Sequence, residues 1–179
     1  NPYCLDGDID EVKVWNYVKP PTSLACGDTL TTAGLYELGG DISTSRDCLT
    51  IAADNVELDL KGFDITGIGQ LGIGILIEGN SNVVIKDSGD GDGNKGVISG
   101  FGTGISLIDS TGSTIGGVEA GVKLKWNTKG IRISGGSGNN ILYNDVSDGV
   151  GIMESGSGIV LAGTTNSVIG GNRVRDNDE

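Results

Sequence analysis

One short phrase recurs along this chain and restricts its fold more than any other feature. A glycine precedes an isoleucine that alternates with polar residues, and a second apolar alternation follows each copy. The copies begin at Gly74, Gly104, Gly130 and Gly158. Self-similarity at a period of about 20–50 residues is typical of stacked repeats. Because the apolar residues alternate as in strands, the repeat predicts a β-stack rather than a helical solenoid.

The composition fits a stack of strands joined by tight turns. Of the 179 residues, 33 are glycine and 36% are hydrophobic. Glycine adopts the left-handed conformations that tight turns need, and short aliphatic runs supply a few inward side chains per coil. No segment keeps a helical period for a dozen residues. We therefore expect an all-β, right-handed parallel β-helix of about six coils.

Each coil is expected to contribute three strands whose aliphatic side chains share one core. The predicted inward residues are Ile75, Ile77, Val83, Ile85, Val97, Ile105, Leu107, Ile115, either Val118 or Val122, Ile131, Ile133, Ile141, Val146, Ile159, Leu161 and Val168. Asparagines recur just before strand starts and predict an asparagine ladder at one turn. They are Asn55, Asn82, Asn140 and Asn166.

The charge balance restricts the class of partner. The formal net charge is −12 and the sequence pI is about 4.2. Binding of nucleic acid or of an anionic lipid surface would need a basic stripe. The acidic balance therefore argues against both as partners. No apolar run is long enough to span a bilayer. An acidic surface leaves two interpretations, a soluble self-repelling exterior or a site for cations.

The cysteines are evenly spaced at Cys4, Cys26 and Cys48. The cysteines are 22 residues apart. In coils of about that length, this spacing could place Cys26 beside Cys48 on neighbouring turns. We expect a disulfide there, with free buried thiols as the alternative. A disulfide would indicate an oxidising setting, outside the cell or on its surface. A bond between Cys26 and Cys48 leaves Cys4 without a predicted partner in this sequence.

The chain divides into three parts. Residues 1–19 alternate like a strand and end at Pro20-Pro21. Their phrase Gly7-Asp8-Ile9-Asp10-Glu11-Val12 resembles the closing strand of laminin-G-like or concanavalin-like sandwich domains. The segment is therefore expected to be a remnant of an upstream domain or a strand given to a neighbour, or else a strand that caps the solenoid. Residues 20–25 are expected to be a linker and residues 26–179 the β-helix.

The start of the third part carries a family resemblance. Its phrases are Cys26-Gly27-Asp28, Leu58-Asp59-Leu60 followed by Gly62, and Ile65-Thr66-Gly67. This stretch resembles the opening of the right-handed parallel β-helix family that includes NosD-like proteins and the pectate-lyase superfamily. The resemblance implies the fold for residues 26–179. It implies little about activity.

Two segments interrupt the repeat and are expected to form expanded loops, where solenoids commonly carry binding functions. They are residues 87–96 and 119–128. The first contains the oxygen-bearing side chains of Asp87, Asp90, Asp92 and Asn94 among glycines, which predicts a calcium site. The pattern resembles the first half of an EF-hand loop, but Lys95 replaces the glycine and no twelfth-position Glu follows. A solvated Asp-Gly turn is the alternative.

Polysaccharide cleavage would need carboxylates that converge on one face. Asp145 and Asp148 are the candidates for an acid and base pair, and Arg132 is the candidate basic residue of a lyase. The resemblance to polygalacturonases fails, because the histidine motif of those enzymes is missing from a chain without histidine. Sugar binding without cleavage would use an aromatic platform, for which Trp126 is the best candidate. A hydrophobic lid is the alternative role of Trp126.

These observations favour a non-enzymatic, extracellular structural or adhesive module. Its expected partners are copies of itself or other surface proteins, and an open stack could assemble head to tail into a filament. The runner-up function is a carbohydrate-active β-helix, either a polysaccharide lyase or a polysaccharide-binding module.

Overall fold

The computed structural model describes residues 23–149 and 156–177, which form a three-sided stack of parallel strands. All regular secondary structure in these two ranges is strand, so they contain no helix able to cross a membrane. The predicted N-terminal strand of residues 1–19, the first part of the predicted linker and Cys4 lie outside the described residues.

Three parallel sheets take every third strand of the described chain. Sheet A consists of β1 (Thr29–Leu30), β4 (Leu49–Ile51), β7 (Ile73–Glu78), β10 (Thr103–Ile108), β13 (Lys129–Ser134) and β16 (Ser157–Ala162). Sheet B consists of β2 (Gly34–Glu37), β5 (Val56–Asp59), β8 (Val84–Lys86), β11 (Thr114–Gly116), β14 (Asn140–Leu142) and β17 (Val168–Gly170). Sheet C consists of β3 (Ile42–Thr44), β6 (Ile65–Gly67), β9 (Val97–Ser99), β12 (Lys123–Lys125), β15 (Asp145–Ser147) and β18 (Arg173–Arg175). One strand from each sheet makes a coil, and the predicted parallel β-helix is confirmed.

The register places the repeated phrase in a single column of sheet A. Ile75 pairs with Ile105, Ile105 with Ile131, and Ile131 with Ile159. The first three side chains are fully buried. Burial of one such side chain stabilises a fold by about 1.5–3 kcal/mol, so the aligned columns are the main source of cohesion between coils.

The glycine of the phrase is required because neighbouring coils approach closely at that point. A Cβ atom on Gly74 would lie 2.6 Å from the carbonyl oxygen of Gly104. A Cβ atom on Gly104 would lie 2.7 Å from the carbonyl oxygen of Gly130. A side chain at either position would therefore push the coils apart.

Two predicted inward positions are wrong by one residue. In β9 the buried side chain is Ile98, which pairs with Leu124, whereas Val97 pairs with Lys123 on the outer face. In β17 the core column continues from Ile141 to Ile169, and Val168 faces outward. Since side chains alternate between faces, a shift of one residue moves a strand's whole apolar set to the other side.

The prediction of an expanded loop at residues 119–128 is wrong for the middle of that segment. This stretch contains β12, and both Val122 and Leu124 are fully buried, as in an ordinary coil. Of the two alternatives for the inward position, Val122 is correct and Val118 is 70% exposed. Residues 87–96, in contrast, lie between β8 and β9 without regular structure, as predicted for a loop.

The predicted asparagine ladder is present only as the pair Asn55 and Asn82, since Gly112 and Gly138 occupy the column between Asn82 and Asn166. Asn55, Asn82 and Asn166 all adopt left-handed backbone conformations at the turn from sheet A to sheet B, which we call the A–B corner. The Asn82 side-chain amide donates to the Asn55 side-chain oxygen at 3.3 Å. The prediction for Asn140 is wrong, since this residue lies within β14 and Gly138 holds the position equivalent to Asn82 and Asn166.

Candidate functional site

The predicted disulfide is present. The Sγ atoms of Cys26 and Cys48 lie 2.02 Å apart and tie the segment before β1 to the start of the second coil. Cys48 is buried. The bond fixes the first coil against the second through a covalent contact in addition to the hydrogen bonds between β1 and β4.

The carboxylate of Asp87 organises the loop of residues 87–96. This carboxylate is fully buried. Its Oδ1 accepts hydrogen bonds from the backbone N–H groups of Gly62 and Gly89, each at 2.9 Å. Its Oδ2 accepts a third from the backbone N–H of Gly96 at 2.8 Å. Both oxygens are thus engaged with backbone donors at the base of the loop.

The rest of the loop is held by Asp90 and Lys95. Asp90 accepts hydrogen bonds from the backbone of Asp92 and from the side chain of Asn94, at 3.0 and 2.8 Å. The hydrogen bond from Asn94 is the main reason that the pKa of Asp90 lies below its usual value. The Lys95 ammonium donates to the backbone carbonyls of Asp87 and Glu119.

These contacts bear on the calcium prediction. Among the described residues no three acidic, histidine or cysteine side chains are grouped so that they could hold a metal ion. Calcium binding by Asp87, Asp90, Asp92 and Asn94 therefore stays a prediction. Comparison of the melting temperature with and without a chelator would test it.

Of the three candidate catalytic residues, two flank one strand of sheet C and the third lies on sheet A. Arg132 projects from sheet A, where it pairs with Ser106 and Val160. Asp145 belongs to sheet C, and its Oδ2 lies 3.7 Å from Nη2 of Arg175. Asp148 follows β15 and accepts a hydrogen bond from the Ser147 hydroxyl at 3.0 Å. The two carboxylates lie at opposite ends of β15, and the structure does not bring Arg132 to their sheet.

Trp126 is exposed and sits in an unusual backbone conformation. It follows β12 at the turn from sheet C to sheet A, the C–A corner, with φ of 53°. A left-handed conformation is costly for a bulky residue, and Asp148 and Asp176 adopt it at the equivalent positions of the next two coils. Tyr143 is the matching case at the turn from sheet B to sheet C, the B–C corner, with φ of 58° and an exposed ring. A Cβ on Gly171 would overlap that ring, so Tyr143 packs over the glycine of the next coil.

A groove of about 780 Å³ follows the C–A corner across the middle coils. Its lining residues are Asp47, Gly69, Gln70, Leu71, Gly72, Ile73, Gly102, Thr103, Thr128 and Lys129. One wall is the loop of residues 68–72, which exposes Ile68 and Leu71. That loop rests on the first coil, since Asp47 Oδ1 accepts a hydrogen bond from the Ile73 backbone N–H at 2.8 Å.

The last described coil ends in an apolar face, which we call the end face. It consists of Leu161, Ile169 and Val174, which continue the core columns of Ile133, Ile141 and Val146. The end-face side chains are 47%, 41% and 49% exposed, although their counterparts one coil earlier are buried. A shallow cavity of about 570 Å³ lies over them.

The strand edges at the end face are also open. Within the described residues β16, β17 and β18 pair on one side only, with β13, β14 and β15. Open strand edges beside exposed apolar side chains are a template for pairing with further strands. The end face therefore combines the two features that hold successive coils together inside the rod.

Sequence reasoning missed the groove and found the end face only in general terms. The groove is built from the C–A corners of four successive coils, so its lining is scattered along the chain. One signal was present: the C–A corner is longer in the second coil, at residues 68–72, than in the two coils that follow. The exposed Ile68 and Leu71 in that corner would have marked it.

Comparison with known proteins adds no relative to this description. No protein-family model matches the chain, and no match is found among curated proteins or among solved structures. The fold and the local geometry are therefore the whole basis for a functional proposal.

Proposed function

We propose that this chain is a non-enzymatic structural or adhesive module of a secreted or cell-surface protein, and that two copies associate through the end face. The observation that carries the proposal is the exposure of Leu161, Ile169 and Val174 in register with buried core columns. Inside the rod the same columns are covered by the next coil. A second copy would cover them in the same way, with the apolar contact as the driving force.

The extracellular setting is supported by the Cys26–Cys48 disulfide. Disulfides persist in oxidising environments and are rare in the cytosol of most organisms. The net charge of −12 keeps the lateral surfaces of such rods apart, which favours contact at the ends over side-by-side aggregation. Other surface proteins with open parallel strands are alternative partners for the same face.

Sedimentation velocity of the 179-residue chain over a concentration range tests the proposal. We expect species larger than the monomer, and their share of the protein should rise with concentration. Ile169→Lys places a charge in the end face and is expected to weaken association at least tenfold, about 1.4 kcal/mol. Val118→Lys removes an exposed aliphatic residue away from the end face and should associate like the wild type.

Two results would contradict the proposal. The first is a wild-type chain that stays monomeric at every concentration. The second is an Ile169→Lys chain that folds, as judged by circular dichroism, and associates like the wild type. Since Ile169 is already partly exposed, its replacement by lysine should leave the rod folded.

A second candidate function is binding of a neutral or acidic polysaccharide in the groove. The observation in its favour is a groove lined by the exposed Leu71 together with the polar Gln70 and Thr103, with Trp126 two residues before the lining residue Thr128. Sugar rings stack on such aromatic side chains while amide and hydroxyl groups bind their oxygens.

Affinity electrophoresis in gels that contain pectin or alginate tests this candidate. Retarded migration is expected for the wild type, with less retardation for Trp126→Asn. Tyr143→Asn is the matched control, since Tyr143 is also exposed and left-handed but lies at the B–C corner. Equal migration of all three proteins with and without polysaccharide would contradict binding, whereas release of unsaturated products would indicate a lyase.

A further inference from the structure

Charge is distributed unevenly along the rod. Residues 23–99 contain twelve acidic and four basic side chains, whereas residues 100–149 and 156–177 contain five acidic and six basic ones. The first three coils are therefore strongly negative and the last three nearly balanced. Contact between the two different ends of two copies is electrostatically more favourable than contact between two N-terminal ends.

The outer face of sheet C shows how the last coil could meet another copy. Lys123, Asp145 and Arg173 follow one another in a column, so that the sign of the charge alternates from coil to coil. Arg173 is exposed at the open edge of β18. The next charge in an alternating column would be negative.

The first coil carries a negative charge at the corresponding position. Ile42 heads the core column of sheet C, which passes through Ile65 and Ile98 and ends at Val174. Asp41 precedes Ile42 as Arg173 precedes Val174. Asp41 is also exposed, and β3 is the edge strand at its end of sheet C.

We infer that two copies join head to tail, with Arg173 of one copy beside Asp41 of the other and Val174 against Ile42. This inference rests on the proposed function and adds the polarity and the partner surface. The contact continues the alternation of charge by one more coil. Because the contact joins two different surfaces of the chain, its repetition produces a filament rather than a closed dimer.

Sheet B supports the same alignment. Its outer column begins at Leu35 and ends at Val168, and both side chains are exposed despite being aliphatic. Head-to-tail continuation would bring these two residues together. Two otherwise unexplained exposed aliphatic side chains would then cover each other.

Sheet A contributes differently at the N-terminal end. Leu30 of β1 is buried there in one cluster with Leu24, so its core column is closed. In sheets B and C the first core side chains, Tyr36 and Ile42, are only partly buried. The open core positions at this end therefore lie on β2 and β3, which meet β17 and β18 of the other copy.

Charge reversal tests the polarity by sedimentation velocity of the full chain at low salt. Asp41→Lys and Arg173→Glu should each weaken association at least tenfold, and the loss should shrink at high salt. A mixture of the two variants should associate again, because each end of one variant is then complementary in charge to the opposite end of the other. Asp54→Lys is the matched control for Asp41→Lys, since it makes the same charge change in the second coil away from the end.

The outcomes separate this inference from the proposed function. If Ile169→Lys abolishes association but Asp41→Lys associates like the wild type, the end face joins tail to tail and the inferred polarity is wrong. If the wild type stays monomeric, both fail. Asp41→Asn guards against misfolding, because asparagine keeps the oxygen that accepts the Asp64 backbone N–H at 2.9 Å. This variant should associate more weakly than the wild type and more strongly than Asp41→Lys.

Discussion

Asn144 donates a side-chain hydrogen bond to the Asn172 side-chain oxygen, 3.0 Å away and one coil further along the rod. The same amide nitrogen donates to the Ile115 carbonyl at 3.0 Å, and Asn144 Oδ1 accepts the Val122 backbone N–H at 3.0 Å. One buried side chain thereby connects three successive coils at the B–C corner. The polar backbone groups of that corner are satisfied within the protein.

Replacement of Asn144 by alanine should destabilise the rod by about 2–4 kcal/mol, because buried donors and acceptors would lose their partner. Asn140→Ala is the matched control, since its side chain is only partly buried and makes one long contact of 3.5 Å with Thr114 Oγ1. We expect a loss of less than about 1 kcal/mol for the control. Urea unfolding of both variants measures the difference, and equal losses would contradict the role of Asn144.

The left-handed column of the A–B corner gives a second prediction. Gly138 has φ of 66° in the column that also contains Asn82 and Asn166. Its Cβ direction is open, since the nearest atom would be 3.9 Å away. Gly138→Asn should therefore cost less than about 1 kcal/mol, whereas Gly138→Val should cost about 1–2 kcal/mol or more from backbone strain. Thermal unfolding of the pair checks the order, and equal melting temperatures would contradict it.

The sequence predicts the core columns well because the glycine and isoleucine of each repeat mark the same place in sheet A. Prediction is poorer where the coils differ in length. The aliphatic Val97 and Val168 are predicted core residues, yet Ile98 and Ile169 hold the inward positions set by pairing with the adjacent coil. That pairing depends on loop length, which composition does not reveal.

The same limit applies to the polar residues. Asparagines at turns are recognisable, but whether a turn asparagine points inward is decided by the coil above or below it. Asn127, Asn139 and Asn144 are buried and bonded between coils, whereas the predicted Asn140 lies in a strand. The residues of the groove and of the end face can be read from the sequence. Their alignment across coils cannot, because it depends on the register between strands.

The disulfide gives a third prediction. The bond closes a loop between residues 22 apart in sequence, so its removal should cost about 3 kcal/mol through the entropy of the unfolded chain. The double variant Cys26→Ala with Cys48→Ala should show this loss in guanidinium unfolding. Reductant should lower the stability of the wild type similarly and leave the double variant unchanged. An equal response of both proteins to reductant would contradict this role of the bond, because Cys4, the one cysteine left in the double variant, cannot form a disulfide within the chain.

The final prediction concerns pH and Asp59, a carboxylate that is only 3% exposed. Burial acts to raise its pKa, but hydrogen bonds from the Ser88 and Lys61 backbone N–H groups, at 2.9 and 3.1 Å, and the charge of Lys86 together lower it. A pKa lowered by folding means that the charged form stabilises the protein at pH values above the unfolded pKa of about 3.9. That contribution is lost as the pH falls through the folded pKa.

Asp59→Asn should therefore be less stable than the wild type by about 1–3 kcal/mol at pH 7, and this difference in stability should narrow below about pH 4. Urea unfolding of both proteins at several pH values measures the gap, with the exposed Asp92→Asn expected within about 0.5 kcal/mol of the wild type at pH 7. A gap for Asp59→Asn that widens on acidification would contradict the lowered pKa.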